Sequence, residues 1–110
     1  MPVRASLAAA AALLLPFAAA LAADAPTEVT ISNHVFSPAE IHVKAGQPVT
    51  LHVRNEDATP EEFDSDDLKV EKVIAGHGAG TVRLRPLKPG TYRFKGEYHE
   101  DTARGTVVAE

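Results

Sequence analysis

The chain has 110 residues, eleven basic and fifteen acidic, and contains no cysteine. Without cysteine it has no disulfide, no thiolate nucleophile and no soft thiolate ligand for a metal. The acidic balance argues against a nucleic-acid partner, because proteins that bind a phosphate backbone concentrate lysine and arginine. A chain of this length makes one small domain with a modest core.

The first residues are typical of a secretory signal. Arg4 precedes a run rich in alanine and leucine over residues 5–23, and residues 20–22 have the small-x-small pattern of a cleavage site. The run is short for a transmembrane helix, although an uncleaved N-terminal anchor is the alternative. We therefore predict a signal peptide over residues 1–22 and an exported mature domain over residues 23–110. Cleavage removes one base and no acid, which leaves ten basic and fifteen acidic residues and a net charge of −5.

Six segments of the predicted mature domain alternate apolar and polar residues, which is typical of strands with one buried face. Their apolar positions are Val29 and Ile31; Ile41 and Val43; Val49, Leu51 and Val53; Val82 and Leu84; Tyr92 and Phe94; Val107 and Ala109. Glycine and proline separate the segments, and only residues 64–68 suggest a helical turn. The pattern predicts an all-β Greek-key sandwich of about seven strands. We expect its core to include Phe36, Leu51, Val53, Phe63, Leu84, Tyr92 and Phe94.

Acidic residues concentrate between residues 55 and 71, which contain eight of the fifteen. The segment is either a solvated acidic loop or a source of oxygen ligands for a hard cation. If Phe63 is buried, strand alternation turns Glu61 to the same side and Glu62 to the opposite side. In an irregular loop both glutamates can converge, so both stay candidates.

The five histidines fall into three groups. His42 and His52 lie between apolar strand residues and are expected on the solvent face. His34 and His77 lie in predicted loops, where each is either a ligand or an idle surface residue. His99 lies among carboxylates in the loop before the last strand, which makes it the best metal candidate.

Several segments, in their order and spacing, resemble the cupredoxin family over nearly the whole mature domain. They are residues 35–46, 49–57, 59–63 and 87–94, then His99 and residues 105–108. In blue-copper members a histidine follows the proline of the third segment, and a Cys-x-x-His-x-x-Met loop joins the last two strands. By this resemblance Glu61 stands in place of the first histidine, Gly96 of the cysteine and Thr102 of the methionine, and only His99 matches. A blue-copper centre requires a thiolate, so none is expected here.

Residues 59–65, 71–74 and 96–103 are similar to EfeO-type cupredoxin-like domains, especially the small stand-alone versions that accompany ferrous-iron permeases. The resemblance implies a periplasmic protein that binds copper or iron, as Cu(II), Fe(II) or Fe(III). It also implies a partner, either an inner-membrane iron permease or a periplasmic iron-binding protein. The candidate metal ligands are His99, Glu61, Glu62 and Glu97, with His34 and His77 as further candidates. Imidazole and carboxylate ligands suit these ions better than Cu(I).

Three functions stay open at this point. The first is a metal-binding accessory of iron or copper handling, and the second is a metal-free sandwich that docks a membrane transporter. The third is a ferroxidase. The metal content of the purified protein separates the first two, and iron oxidation coupled to an electron acceptor identifies the third.

Overall fold

The computed structural model describes Val3 and residues 25–110, and in this part of the chain it contains nine strands and one short 3-10 turn. The strands are β1 Thr27–Ser32, β2 Val35–Ser37, β3 Glu40–Val43, β4 Val49–Asn55, β5 Glu61–Ser65, β6 Val70–Ile74, β7 Ala79–Leu84, β8 Gly90–Gly96 and β9 Arg104–Ala109. The 3-10 turn spans Glu97–His99. The predicted signal peptide, residues 1–22, lies outside the described residues apart from Val3. Among the described residues no helix is long and apolar enough to span a membrane.

The strands form two sheets, with the orders β2-β1-β4-β7 and β3-β9-β8-β5-β6. The chain crosses from one sheet to the other after β2, β3, β4, β6 and β7, so few neighbouring strands are hairpin partners. Two pairs, β1 with β4 and β3 with β9, are parallel because of these crossovers. The predicted all-β Greek-key sandwich is confirmed, with nine strands in the described residues where about seven were expected.

The additional strands lack a clear alternating pattern in the sequence. Strand β2 has only three residues, and β5 and β6 contain four of the eight acidic residues of the segment that was interpreted as either a solvated loop or a source of oxygen ligands. The helical turn expected over residues 64–68 was wrong: β5 continues to Ser65, and a tight turn over residues 66–69 follows. The Ser65 hydroxyl closes this turn by accepting the N–H of Leu68 at 3.0 Å. The buried Leu68 side chain anchors the turn to the core.

The core lies between the two sheets and centres on three phenylalanines. Phe63 and Phe94 stack with ring centroids 4.6 Å apart, and Phe36 meets both rings edge-on. Tyr92, expected in the core, is only partly buried, because its hydroxyl reaches out and donates to the Lys88 carbonyl at 2.7 Å. The other six predicted core residues are buried: Phe36, Leu51, Val53, Phe63, Leu84 and Phe94.

Candidate metal centre

Strand β5 carries the Glu61 carboxylate into the interior. Alternation turns Glu61 to the same side as Phe63, and their exposed fractions are 1% and 0%. One carboxylate oxygen, Oε1, accepts the backbone N–H of Tyr98 at 3.0 Å and that of Glu62 at 3.1 Å. Burying a carboxylate is costly unless it is hydrogen bonded, so these two donors stabilise it in a fixed orientation.

The second oxygen of Glu61 meets His99. Oε2 lies 2.5 Å from His99 Nδ1, a short hydrogen bond between the carboxylate and the imidazole. The 3-10 turn and the residues after it position the ring, since the N–H groups of Thr102 and Ala103 donate to the His99 carbonyl. The His99 side chain is 24% exposed, so one edge of the ring reaches solvent. A carboxylate oxygen and an imidazole nitrogen therefore converge at one buried point.

His34 covers this pair. Its ring is stacked on His99 with centroids 3.5 Å apart and planes 11° from parallel. Two imidazoles stacked in this way cannot direct their in-plane lone pairs at the same ion, so His34 in this orientation shields the site. The turn that places it has left-handed backbone at Asn33 and His34. The Asp57 carboxylate holds that turn by accepting the N–H of Asn33 at 2.8 Å and the N–H of His34 at 2.9 Å. These hydrogen bonds, that of His34 first, keep the pKa of Asp57 below its usual range.

Gly96 shows why a thiolate does not fit the site. A Cβ atom at this position would lie 2.6 Å from the Cδ atom of Glu61 and 2.6 Å from the Cβ atom of Ala103. The space that a cysteine would need is thus occupied by Glu61 and Ala103. Thr102, in the place of the methionine ligand, donates its hydroxyl to the His34 carbonyl at 2.7 Å. These residues do not fit a blue-copper centre, whereas Glu61 and His99 are oxygen and nitrogen ligand types that harder ions accept.

We therefore expect the protein loaded with Cu(II) to show only weak ligand-field absorption. The intense absorption of a blue-copper centre is a charge transfer from a cysteine thiolate, and the chain has no cysteine. A visible spectrum recorded during Cu(II) addition checks this expectation. An intense band at roughly 600 nm would contradict it, since that is where thiolate-copper centres absorb.

The other two predicted carboxylate ligands lie in a separate cluster. Oxygen atoms of Glu62, Asp64 and Glu97 lie within 4.8 Å of one another, and in the described part of the chain this group includes neither Glu61 nor His99. Adjacent residues of a strand point to opposite faces, so Glu61 and Glu62 diverge. The structure thus separates the predicted ligands into two sets, one at each face of β5.

Glu62 has an unusual protonation behaviour for a glutamate. A hydrogen bond with Glu71, burial, and the neighbouring Glu97 together raise the pKa of Glu62 from 4.5 to about 7. Burial, and then the carboxylates of Glu62 and Glu97, also raise the pKa of the Tyr98 phenol, which lies beside Glu62. The cluster therefore concentrates acidic side chains whose mutual repulsion favours the protonated form of Glu62.

The metal-free protein should accordingly lose a stability contribution as the pH rises. Because the folded protein binds the Glu62 proton more tightly than the unfolded chain, this contribution is fully present below about pH 4.5 and is lost as the pH rises through about 7. Glu62→Gln has no such proton, so its free energy of unfolding should rise relative to wild type between these pH values. Urea unfolding of both proteins from about pH 4.5 to about pH 8 measures the difference. Parallel pH profiles would contradict the expectation.

The remaining histidines lie apart from the Glu61–His99 pair. His42 contacts Glu110 at 2.5 Å and Glu40 at 3.2 Å, and His52 contacts Glu28 at 2.7 Å, all with well-exposed side chains. Both therefore lie on the solvent faces that alternation indicates. His77 is exposed in the turn before β7, and its link to the site is a backbone bond from its N–H to the Asp57 carbonyl.

Two residues that contribute to these sites, Asn55 and Asp64, were not identified as candidates from the sequence. Asn55, 1% exposed, donates its side-chain amide to the Thr59 carbonyl at 2.8 Å and accepts the N–H of Asp57 at 3.0 Å. It thereby fixes the loop that carries Asp57. The alternation of β4 places Asn55 on the same buried face as Leu51 and Val53. The sequence could therefore have predicted a buried amide at the end of this strand. Asp64 could likewise have been found two residues after Glu62, on the same face of β5.

A Greek-key sandwich with a histidine just before its last strand and a buried ligand candidate on another strand of the same sheet has the architecture of a cupredoxin. The chain belongs to the family of the cupredoxin-like domain, whose model matches residues 5–109. It is similar to a reduced tryptophan-to-tyrosine variant of amicyanin, with 28% identity and a TM-score of 0.63 over 80% of this chain and 85% of that chain. A methionine-to-alanine variant of amicyanin in its Cu(I) form gives 29% identity and a TM-score of 0.62 with the same coverage.

A curated relative is an uncharacterized protein of Rickettsia prowazekii (strain Madrid E). The two are 40% identical over 81 residues, which is 74% of this chain. The chain matches 65% of the length of that relative. Together with the fold, the family supports a role in metal binding or electron transfer.

Proposed function

We propose that the chain is a periplasmic protein that binds a copper or iron ion through Glu61 and His99, in place of the hydrogen bond that joins them, and serves iron uptake. The observation that carries this proposal is the convergence of Glu61 Oε2 and His99 Nδ1, 2.5 Å apart, at a buried position. The amicyanin structures similar to this chain include Cu(I) forms, which supports metal binding by a protein of this fold.

The ligand types decide which ions suit the site. An anionic oxygen with one imidazole favours Cu(II), Fe(II) or Fe(III) over Cu(I), which prefers sulfur ligands. A bound copper or iron ion would supply one-electron redox chemistry. The chain itself supplies orientation, because the N–H groups of Tyr98 and Glu62 hold the Glu61 carboxylate and the stacked His34 ring limits access of water.

A place in ferrous-iron uptake is supported by the similarity of residues 59–65, 71–74 and 96–103 to EfeO-type domains. In this proposal iron is the cargo, and the protein passes it to an inner-membrane permease or to a periplasmic iron-binding protein. The carboxylate of Glu61 favours the ferric over the ferrous ion, since a hard anionic ligand prefers the higher charge. The site would therefore assist the oxidation of iron before transport, with the electron passing to an external acceptor.

Calorimetric titration of the metal-free protein with Cu(II), Fe(II) and Fe(III) tests the metal site. We expect one of these ions to bind, and we expect Glu61→Gln to weaken that binding because it removes the anionic oxygen beside His99. Glu28→Gln is the matched control, since Glu28 also contacts a histidine, His52, but at an exposed position. If none of the three ions binds, the proposal fails and the metal-free docking module becomes the better hypothesis.

A further inference from the structure

We infer that Glu62, Asp64 and Glu97 form a second cation site, one for a hard ion bound by carboxylate oxygens alone. The inference goes beyond the proposed function, because this site shares no ligand with the Glu61–His99 pair and selects a different class of ion. Suitable ions are Ca²⁺, Mn²⁺ and trivalent lanthanides, which bind oxygen ligands in proteins.

Geometry is the first support. Glu62 and Asp64 project from the same face of β5, and Glu97 opens the 3-10 turn that follows β8, the neighbouring strand in the sheet. One oxygen of each lies within 4.8 Å of the others. The ligands therefore come from strand β5 and from the turn that directly follows its neighbour β8.

The burial of Glu62 is the second, independent support. Its side chain is only 7% exposed, and its Oε1 atom is buried without a hydrogen-bond partner among the described residues. An unpaired buried carboxylate oxygen is expensive, and native structures rarely keep one without a ligand, an ion or a water. Because the Glu62 carboxylate belongs to the group that Asp64 and Glu97 complete, a bound cation accounts for its unpaired oxygen.

The surrounding charges leave the cluster negative. Glu71 on β6 lies directly opposite Asp64 on β5 and adds a fourth carboxylate to the same side. Lys95 on β8 lies directly opposite Asp64 on β5, but its ammonium group forms a salt bridge with Glu100 at 2.7 Å. Asp64 and Glu71 also line a surface depression of about 360 Å³, so one side of the cluster is open to an ion from solvent.

Terbium(III) is the probe for this site, since it binds oxygen ligands as Ca²⁺ does and emits when a nearby tyrosine is excited. Tyr98 lies beside Glu62, so wild-type protein should show tyrosine-sensitised emission. Glu62→Gln should weaken terbium binding by about tenfold or more, because it removes the most buried ligand charge. Tyr98→Phe should abolish the sensitised emission but keep the affinity measured by calorimetry.

Glu40→Gln is the control for general attraction by acidic residues, because Glu40 is exposed and outside the cluster. Equal terbium affinity in wild type and Glu62→Gln, or equal weakening by Glu40→Gln, would overturn the inference. If Glu62→Gln does not fold, Asp64→Asn makes the same test at a more exposed ligand. His99→Ala should leave terbium binding unchanged and Glu62→Gln should leave copper binding unchanged, so failure of this site is distinguishable from failure of the proposed function.

Discussion

Replacing Phe94 with alanine should lower the free energy of unfolding by about 3–5 kcal/mol. The ring is 3% exposed, stacks on Phe63 at 4.6 Å and meets Phe36 edge-on at 5.0 Å. Its removal loses the transfer free energy of the ring and leaves a cavity that two neighbouring rings cannot fill by small shifts. Gly105 lies against the same ring, since a Cβ there would be 2.3 Å from Phe94 Cζ, so the packing extends to the neighbouring strand β9.

Urea unfolding of the metal-free protein measures this effect, with metal excluded so that ligand binding does not add to stability. Val73→Ala is the control, because Val73 lies on β6 with 53% of its surface exposed. We expect this control to change the free energy of unfolding by less than about 0.5 kcal/mol. A loss below about 1 kcal/mol for Phe94→Ala would mean that the ring is not enclosed by the core as the structure has it.

The fold was predictable from sequence wherever one face of a strand is apolar. Val29 with Ile31, or Leu51 with Val53, show the period-two alternation that burial of one face imposes. Strands β5 and β6 were missed because their apolar positions are few and their acids suggest solvent. Glu61 is the clearest case, because hydrogen bonds with the backbone of Tyr98 and the side chain of His99 permit its burial, and no local pattern reports these distant bonds.

The candidate site was predictable in part. The resemblance to cupredoxins pointed to Glu61, Gly96 and His99, and the structure brings these three positions together. The alternation of β5 also indicated that Glu61 and Glu62 diverge once Phe63 is buried. The stacking of His34 on His99 was not predictable, because it depends on a left-handed turn held by Asp57 from 23 residues away.

One strand thus presents two kinds of candidate ligand. Glu61 faces the interior, where a neighbouring imidazole adds a nitrogen donor, and Glu62 faces a group of carboxylates on the other side. The two glutamates are adjacent in sequence, yet oxygen-and-nitrogen ligands and all-oxygen ligands select different ions. A double substitution of Glu61 and Glu62 would therefore merge two effects, and single substitutions are required to separate them.

Replacing His99 with alanine should weaken the binding of Cu(II) or Fe(III) by about tenfold or more, which corresponds to about 1.4 kcal/mol. His99 is the one ligand position of the cupredoxin pattern that this chain keeps, and its Nδ1 atom meets Glu61 Oε2 at 2.5 Å. Without the imidazole, the ion keeps one protein ligand, and water replaces the lost nitrogen with a weaker bond. The alanine also leaves the buried Glu61 carboxylate without its charge-assisted partner. Calorimetric titration of wild type and variant under the same conditions measures the change.

His42→Ala and His52→Ala are the matched controls, because each removes an imidazole that contacts glutamate on an exposed strand face. Both should bind the ion as wild type does, since neither ring lies near Glu61 Oε2 in the described hydrogen-bond network. His34→Ala should have a smaller effect than His99→Ala, because His34 shields the site without directing a nitrogen at the same point as His99. If His99→Ala binds like wild type while His34→Ala or His77→Ala loses the ion, the metal lies among the loops around Asp57, and Glu61 is a structural carboxylate held by the backbone.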